Sequence, residues 1–308
     1  MSVLYKADPV RGRIWAEVFA AHAPDIEFRI WPAHGDPARV EYLVAWEPPT
    51  DWVASFPNLK ALFSSGAGVD QLQLTHVPQH IHVVRTVEPG IVEGVVEYVT
   101  MSVLMLHRHM HAYWRQQANA VWQSIPVIAA SSCHVGVMGL GVLGQAALER
   151  LGTFGYALFG WSRTLKQIPG VTTFSGDDEL ERFVASCDIL ICLLPLTEAT
   201  RGVLGQRVFA ALRPGASLIN AGRGAHLDAS ALLTALDSGR LSHAILDVTE
   251  PEPLPASHPF WNHPRISLTP HIAGSTRPET AAHVLIANIR RHQRGEPLHD
   301  VIDRSKGY

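Results

Sequence analysis

The chain has 308 residues, of which 47% are hydrophobic and 17% charged, and its formal net charge is −3. This length allows two domains, and the near-neutral charge argues against nucleic acid as a partner. The cysteines show no metal-type spacing, no uninterrupted apolar run reaches the length of a membrane span, and the N-terminus lacks the features of a secretory signal. We therefore expect a cytoplasmic protein with reduced thiols and no membrane partner.

Short apolar runs recur through the first hundred residues, with helix-compatible segments between some of them. Strands alternating with helices predict a parallel sheet that is covered on both faces. The longest helical pattern, residues 91–117, leads out of this first series. The predicted strands of the series are residues 3–5, 26–30, 42–46, 61–63 and 81–84.

A second alternating series follows, and its six strands fit a six-stranded doubly wound sheet. Its predicted strands are residues 134–138, 157–159, 189–194, 217–219, 244–246 and 266–268. A final helical pattern over residues 278–292 precedes a tail that ends Lys306-Gly307-Tyr308. We predict an α/β protein of two Rossmann-like or flavodoxin-like doubly wound parallel-sheet domains, with the active-site cleft between them. One domain is residues 1–98 plus 276–308, and the other is residues 99–275.

The stretch Gly139-Leu140-Gly141-Val142-Leu143-Gly144 follows a predicted strand and precedes a predicted helix. In this context the first glycine allows a tight turn, the second lets backbone approach a pyrophosphate, and the third lets helix and strand pack closely. The phosphates then lie at the helix N-terminus, where free N–H groups favour anions. The motif predicts a dinucleotide site, and a glycine-rich turn in some other α/β protein is the alternative.

The end of the next predicted strand bears on which dinucleotide binds. Where a carboxylate would bind the ribose hydroxyls of NAD, the chain has Ser162-Arg163-Thr164. Serine can hydrogen-bond a 2′-phosphate, arginine can form a charge-assisted fork with it, and no carboxylate is present to repel it. This favours NADPH, with NADH possible, because a solvent-facing Arg163 is the alternative. Lys166 can add positive charge.

Three ionisable side chains, Arg223, Glu252 and His271, follow three successive predicted strands of the second series. Ligands of doubly wound sheets gather at the carboxyl ends of the strands. There an arginine can clamp a carboxylate and polarise a carbonyl, and a histidine with an acidic partner can protonate a carbonyl oxygen during its reduction. Each residue alone is ambiguous, and Glu250 rivals Glu252 as the acidic partner.

These segments resemble the D-2-hydroxyacid dehydrogenase family, in its glyoxylate/hydroxypyruvate reductase branch. Besides the glycine loop, the family has N-x-x-R-G, D-V-x-x-x-E-P and P-H-x-[AG] segments, and this chain matches all three. The resemblance implies that Arg223 binds the substrate, that His271 is the general acid and that Glu252 is its carboxylate partner. Glu252 has the family spacing from Asp247, so Glu250 is expected to be a surface charge. The chain departs from the family at Thr249, where an aromatic residue is usual.

The resemblance also implies contacts to the substrate and cofactor. The loop Ser64-Ser65-Gly66-Ala67-Gly68-Val69-Asp70 resembles the loop whose backbone N–H groups receive the substrate carboxylate, here from Ala67 and Gly68. Trp46 resembles an aromatic near the substrate, and a core position is its alternative. The implied cofactor contacts are Gly139, Leu140, Gly141, Val142, Leu143, Gly144, Ser162, Arg163, Thr164, Leu194, Pro195, Ala221, Asp247, His271 and Gly274.

The resemblance covers nearly the whole chain and implies NADPH-dependent reduction of a short 2-oxo acid, glyoxylate or hydroxypyruvate, by a homodimer. One alternative is an NAD-dependent dehydrogenase of a larger 2-oxo acid. Another is a catalytically silent regulator that senses dinucleotides. The complete set of Arg223, Glu252 and His271 argues against the regulator, because a sensor needs no general acid.

The chain also holds 17 histidines. Within one predicted helix, His107 and His111 are four residues apart and share a face. Such a pair could bind a metal, but no third ligand lies nearby in the sequence. We therefore expect no metal site and interpret this helix as polar or interface-facing.

Overall fold

The computed structural model describes residues 1–304, so the tail residues Lys306, Gly307 and Tyr308 lie outside the described part. The chain divides into two compact units, Met1–Ile91 with Thr276–Tyr308, and Val92–Ser275. Each unit contains one parallel β-sheet, which confirms the predicted fold class of two doubly wound α/β domains. The predicted division after residue 98 stays a prediction.

Strands and helices alternate along most of the chain. The strands are β1 (Ser2–Lys6), β2 (Glu27–Ile30), β3 (Val40–Ala45), β4 (Ala61–Ser64), β5 (His82–Val84), β6 (His134–Met138), β7 (Ala157–Ser162), β8 (Val171–Ser175), β9 (Ile189–Cys192), β10 (Ala216–Asn220), β11 (Leu241–Leu246) and β12 (Ile266–Leu268). The helices are α1 (Pro9–His22), α2 (Trp52–Ser55), α3 (Pro89–His107), α4 (Met110–Ala118), α5 (Val142–Gly152), α6 (Leu180–Val184), α7 (Gln206–Ala211), α8 (Ala229–Asp237) and α9 (Pro278–Gln293).

In the first unit the strand order is β2-β1-β3-β4-β5, and all neighbouring strands are parallel. Alternate side chains pack on the two faces of this sheet. Leu4, Leu43 and Leu62 lie in the core on one face, and Tyr5 and Phe63 lie in the core on the other. Because both faces are buried, the strands are nearly continuous apolar runs, and the five predicted strands are confirmed.

In the second unit the strand order is β12-β11-β10-β9-β6-β7-β8, again entirely parallel. The prediction of six strands here is wrong, because β8 forms a seventh at the edge of the sheet. Of the residues in β8, Phe174 alone is buried. A short edge strand with one buried side chain lacks the apolar run by which the other strands are recognised in the sequence.

The prediction of one long helix over residues 91–117 is also wrong, because the chain forms α3 and α4 instead. Between them His109 adopts a left-handed conformation with φ of +55°, which interrupts the helix. No proline or glycine marks this break in the sequence. Just after it, the ring of His111 stacks on the ring of His243 in β11, with centroids 4.3 Å apart. The break between α3 and α4 is thus accompanied by a tertiary contact of α4 with β11.

Among the described residues, α3 is the one helix long and apolar enough to cross a membrane by length and composition, with a mean hydropathy of 1.4 over an 18-residue window. Glu93 and Glu97 interrupt its apolar residues, so no continuous run stands out in the sequence. Within the second unit, Val95, Val99 and Val103 of α3 pack in the core beside β6. A buried core helix of this kind passes the same compositional test.

The two histidines considered as a metal pair have separate partners. His107 Nδ1 lies 2.8 Å from the Tyr156 hydroxyl, and its Nε2 lies 2.9 Å from the Ile128 carbonyl. His111 instead stacks on His243. Within residues 1–304, no group of three or more His, Cys, Asp or Glu side chains is arranged to hold a metal. Both ring nitrogens of His107 are therefore used in tertiary hydrogen bonds.

The stacked pair of His111 and His243 is held in its neutral form. His243 is 2% exposed, and burial, aided by the neighbouring His111 and Arg115, lowers its pKa to about 3. Burial, with the charges of Arg115 and His109, likewise lowers the pKa of His111 to about 4. The folded chain thus resists protonation at these rings, whereas an unfolded chain does not.

This difference predicts an acid-sensitive second unit. Above the ordinary histidine pKa of 6.5 both rings are neutral whether the chain is folded or not, so they add no pH dependence. Below it the unfolded chain binds protons that the folded chain excludes, and His243 alone should reduce the unfolding free energy by about 2 kcal/mol at pH 5. Urea unfolding at pH 7 and pH 5 measures this loss. His243→Phe should diminish it and the exposed His80→Gln should not; equal pH dependence in all three proteins would contradict the account.

Candidate active site

The glycine loop joins β6 to α5 in a conformation that its glycines permit. Gly139 has φ of +103°, and a Cβ there would lie 2.6 Å from the Leu193 carbonyl oxygen. A Cβ at Gly144 would collide with the carbonyl of Gly139, so this glycine allows α5 to start against the turn. At Gly141, the N-cap of α5, an added Cβ would meet nothing within 4 Å. The loop therefore leaves open space beside the free amides of a helix N-terminus, as a bound pyrophosphate requires.

Positive charge gathers beside this loop. The Leu140 carbonyl accepts hydrogen bonds from Gln145 Nε2 at 2.9 Å and from Lys166 Nζ at 2.6 Å. Lys166, whose position the sequence left open, thus reaches the glycine loop. At the end of β7, the Ser162 hydroxyl donates to the Thr164 carbonyl at 2.8 Å, and the neighbouring Arg163 is exposed. These groups fit a cofactor that carries an additional phosphate.

The remaining predicted cofactor residues follow strands that neighbour β6. Leu194 and Pro195 follow β9, and the turn at Gly139 packs against the backbone of residues 193–194. Ala221 follows β10, and its amide donates to the Cys192 carbonyl at 3.2 Å. Gly274 lies half-buried beyond β12. Their contacts to a cofactor stay predictions.

Arg223, Glu252 and His271 lie beyond the carboxyl ends of β10, β11 and β12, which are adjacent in the sheet. The structure thus brings the three residues together, as their order in the sequence suggested. Arg223 is half-buried, its Nη1 donates to the Gly222 carbonyl at 2.8 Å, and its charge is close enough to act on Glu252.

His271 and Glu252 form a hydrogen-bonded pair, with His271 Nδ1 2.9 Å from Glu252 Oε2. An ionised carboxylate can only accept, so Nδ1 carries the proton and Nε2 is left for another partner. The Thr249 amide donates to Glu252 Oε1 at 3.0 Å. Burial alone would raise the pKa of Glu252, but the bonds from His271 and Thr249 and the charge of Arg223 outweigh it and hold that pKa below its usual value.

Glu250, the rival of Glu252, has a different partner. Its carboxylate lies 3.5 Å from Arg201, and both side chains of this ion pair are more than half exposed. A pair so open to water contributes little to stability. The structure therefore joins His271 to Glu252 and places Glu250 in a surface ion pair.

The buried carboxylate of Asp247 organises the turn that carries His271. His271 has φ of +54°, a left-handed conformation that a non-glycine residue rarely adopts. Its amide donates to the Asp247 carbonyl at 2.8 Å. The Asp247 carboxylate accepts from the Thr269 hydroxyl at 2.6 Å and from the amides of Ile272 and Ala273 at 2.9 and 2.8 Å. These bonds secure the strained turn, and the predicted cofactor contact of Asp247 stays a prediction.

Tyr98 of α3 extends this network and was not singled out from the sequence. Its hydroxyl lies 2.6 Å from Thr269 Oγ1. Because Thr269 donates its proton to the Asp247 carboxylate, Tyr98 must be the donor to Thr269. Burial raises the pKa of Tyr98 to about 12, so the hydroxyl keeps its proton. The sequence signal that could have indicated this role is a tyrosine on the valine-rich face of α3.

In the first unit, the loop after β4 carries the residues expected to receive a carboxylate. Among residues 1–304, no protein group accepts a hydrogen bond from the amide of Ala67 or Gly68. The Ser64 hydroxyl donates to the Gly68 carbonyl at 2.5 Å and so shapes the loop. Trp46 is 40% exposed, and its ring lies 3.6 Å from where a Cβ on Gly66 would be. Trp46 therefore borders the loop and is not a core residue.

Comparisons with known proteins agree with this geometry. The sequence model of the D-isomer specific 2-hydroxyacid dehydrogenase NAD-binding domain matches residues 100–273. The chain is 37% identical to glyoxylate/hydroxypyruvate reductase A of Yersinia enterocolitica. The alignment spans 314 residues and covers 100% of both proteins.

Two solved structures are similar over nearly their full length. One is a D-isomer specific 2-hydroxyacid dehydrogenase of Xanthobacter autotrophicus Py2 in complex with NADPH and MES, with 38% identity, a TM-score of 0.92 and 99% of each chain covered. The other is the NADPH-dependent glyoxylate/hydroxypyruvate reductase of Sinorhizobium meliloti in complex with NADP and sulfate. It has 34% identity and a TM-score of 0.93, with 100% of this chain and 99% of that chain covered.

Proposed function

We propose that the chain, which belongs to the D-isomer specific 2-hydroxyacid dehydrogenase family, reduces a short 2-oxo acid with NADPH, glyoxylate and hydroxypyruvate being the expected substrates. The observation that carries the proposal is the 2.9 Å bond between His271 and Glu252, next to the charge of Arg223. A hydrogen-bonded acid pair beside an arginine is what carbonyl reduction needs, and a dinucleotide sensor has no use for it. The relatives named for this reaction support the choice.

The chain's own residues fit NADPH, which supplies the hydride when bound. The open space at Gly141 and the N-terminus of α5 suit the pyrophosphate. Ser162, Arg163 and Thr164 would hold the 2′-phosphate, and Lys166 adds charge next to the glycine loop. Two similar structures contain NADPH or NADP, which supports this assignment.

The protein residues bind, orient and protonate the substrate. The Arg223 guanidinium binds the carboxylate of the 2-oxo acid and polarises its keto oxygen. His271 donates the proton on Nε2 to that oxygen as its negative charge develops. Glu252 holds Nδ1–H and stabilises the imidazolium until transfer, because the carboxylate is ionised and directly bonded to the ring.

We also propose that the chain works as a cytoplasmic homodimer. Exposed apolar side chains are concentrated in and after α4, and Trp122 is fully open to solvent. A second copy of the chain would cover these side chains and remove them from water. Light scattering that finds a monomer at micromolar concentration would contradict the dimer. The exposed apolar residues of this segment are Trp114, Val121, Trp122, Val127 and Ile128.

Initial rates with NADPH and NADH, each against glyoxylate, hydroxypyruvate, pyruvate and phenylpyruvate, test the reaction. We expect the highest kcat/KM with NADPH as the cofactor and with glyoxylate or hydroxypyruvate as the substrate. Arg163→Ala should reduce the preference for NADPH over NADH by about 10-fold or more, because a charge-assisted hydrogen bond is lost. The exposed Arg182→Ala in the same unit is the matched control. Faster turnover of phenylpyruvate with NADH would favour the larger-substrate alternative, and no oxidation of either cofactor would favour the regulator.

Two neighbouring carboxylates offer a test of the acid pair. Glu252→Gln removes the anionic partner of His271, so the rate of reduction should fall about 10- to 100-fold. Glu250→Gln, which removes a surface ion pair, is the control and should behave like wild type. Equal rates of reduction by the two variants would rule out the assignment of Glu252.

A further inference from the structure

His226 is a buried histidine that the mechanism above does not use. It is 0% exposed and lies at the end of the turn that follows Arg223. Its Nδ1 accepts a hydrogen bond from the Arg223 amide at 3.0 Å, and its Nε2 lies 3.3 Å from the Pro195 carbonyl. One ring thus contacts the backbone of the arginine loop and of the loop after β9.

These partners fix the form of the ring. A backbone amide can only donate, so Nδ1 is unprotonated, and a carbonyl can only accept, so Nε2 carries the hydrogen. His226 is therefore a neutral imidazole with one acceptor and one donor, both in use. Cys192 Sγ, 3.7 Å from Nδ1, lies on the same side of the ring. An apolar side chain of the same size would leave the partly buried Arg223 amide without this acceptor.

The backbone of Arg223 is held by side chains at both of its polar groups. His226 accepts from its N–H, and Asn220 Nδ2 donates to its carbonyl at 3.1 Å. Gly222 makes room for this arrangement, because a Cβ there would lie 2.9 Å from Nδ1 of His226. The direction in which the guanidinium leaves the loop is thus determined by two side chains, of which His226 also reaches the neighbouring loop at Pro195.

We propose that His226 is the positioning residue of Arg223, holding its main chain in the place from which the guanidinium binds the 2-oxo acid. This inference rests on the proposed function of Arg223. His226 acts through Arg223 and touches neither substrate nor reacting atoms. Its bond to Pro195 ties the substrate arginine to the loop assigned to the cofactor, so both loops share one support.

Substitution by Asn or by Gln tests the two hydrogen bonds of the imidazole ring separately. In His226→Asn the amide oxygen can take the place of Nδ1 and still accept from the Arg223 amide. In His226→Gln the amide nitrogen can take the place of Nε2, so the bond to Pro195 persists while the acceptor for Arg223 is lost. We expect His226→Gln to lower kcat/KM for glyoxylate about 100-fold, mainly through KM, and His226→Asn to stay within about five-fold of wild type.

A double-mutant cycle shows whether His226 acts through Arg223. In an Arg223→Ala background, His226→Gln should cause no further loss of kcat/KM, because the side chain that it positions is gone. The Kd for NADPH, measured by fluorescence titration, should remain within about three-fold of wild type in the variants of this cycle, because His226→Gln keeps the bond to Pro195. Losses that multiply in the double variant, or a Gln variant that matches wild type, would overturn the proposal.

Controls distinguish this inference from the proposed function. A wild-type protein that reduces no 2-oxo acid would overturn the proposed function and this inference with it. An active wild type with an equally active His226→Gln variant would overturn the inference alone. If His226→Gln fails to fold, His226→Asn decides the matter: a folded Asn variant that binds NADPH but is as slow as Arg223→Ala would contradict the proposal.

Discussion

The buried carboxylate of Asp247 is the constraint on which the arrangement of the site depends. It lies directly after β11 and accepts hydrogen bonds from Thr269, Ile272 and Ala273, on both sides of His271. Together with the bond from the His271 amide to the Asp247 carbonyl, these bonds offset the strain in the left-handed backbone of His271. The turn delivers the imidazole to Glu252, so the buried Asp247 decides where the proposed proton donor lies.

The other loops of the second unit connect to this turn through backbone contacts. A Cβ on Gly224, next to Arg223, would collide with the backbone of Thr249, so the arginine loop packs directly on the segment that binds Glu252. Thr249 then holds one oxygen of Glu252 while His271 takes the other. Arginine, carboxylate and imidazole are therefore placed by one set of neighbouring loops, which is the preorganisation that electrostatic catalysis requires.

Sequence patterns revealed those parts of the molecule that depend on local spacing. Buried parallel strands appear in the sequence as apolar runs, and Arg223, Glu252 and His271 each follow shortly after such a run. The edge strand β8 lacked this signal, because Phe174 is its one buried residue. The bond from Tyr98 to Thr269 joins residues 171 positions apart, and no local pattern encodes such a contact. The three side chains that the structure brings together could be singled out from the sequence, but the support from Tyr98 could not.

Asp247→Asn gives the most direct test of this account. The amide has the shape of the carboxylate, but its NH₂ group would face a backbone N–H that now finds no acceptor. The account predicts that kcat/KM for glyoxylate, measured at saturating NADPH, falls about 100-fold, a larger loss than any weakening of NADPH binding measured as Kd. The exposed Asp237→Asn should match wild type in both measurements. Unchanged turnover, or a loss confined to NADPH binding, would contradict the role of Asp247 in placing His271.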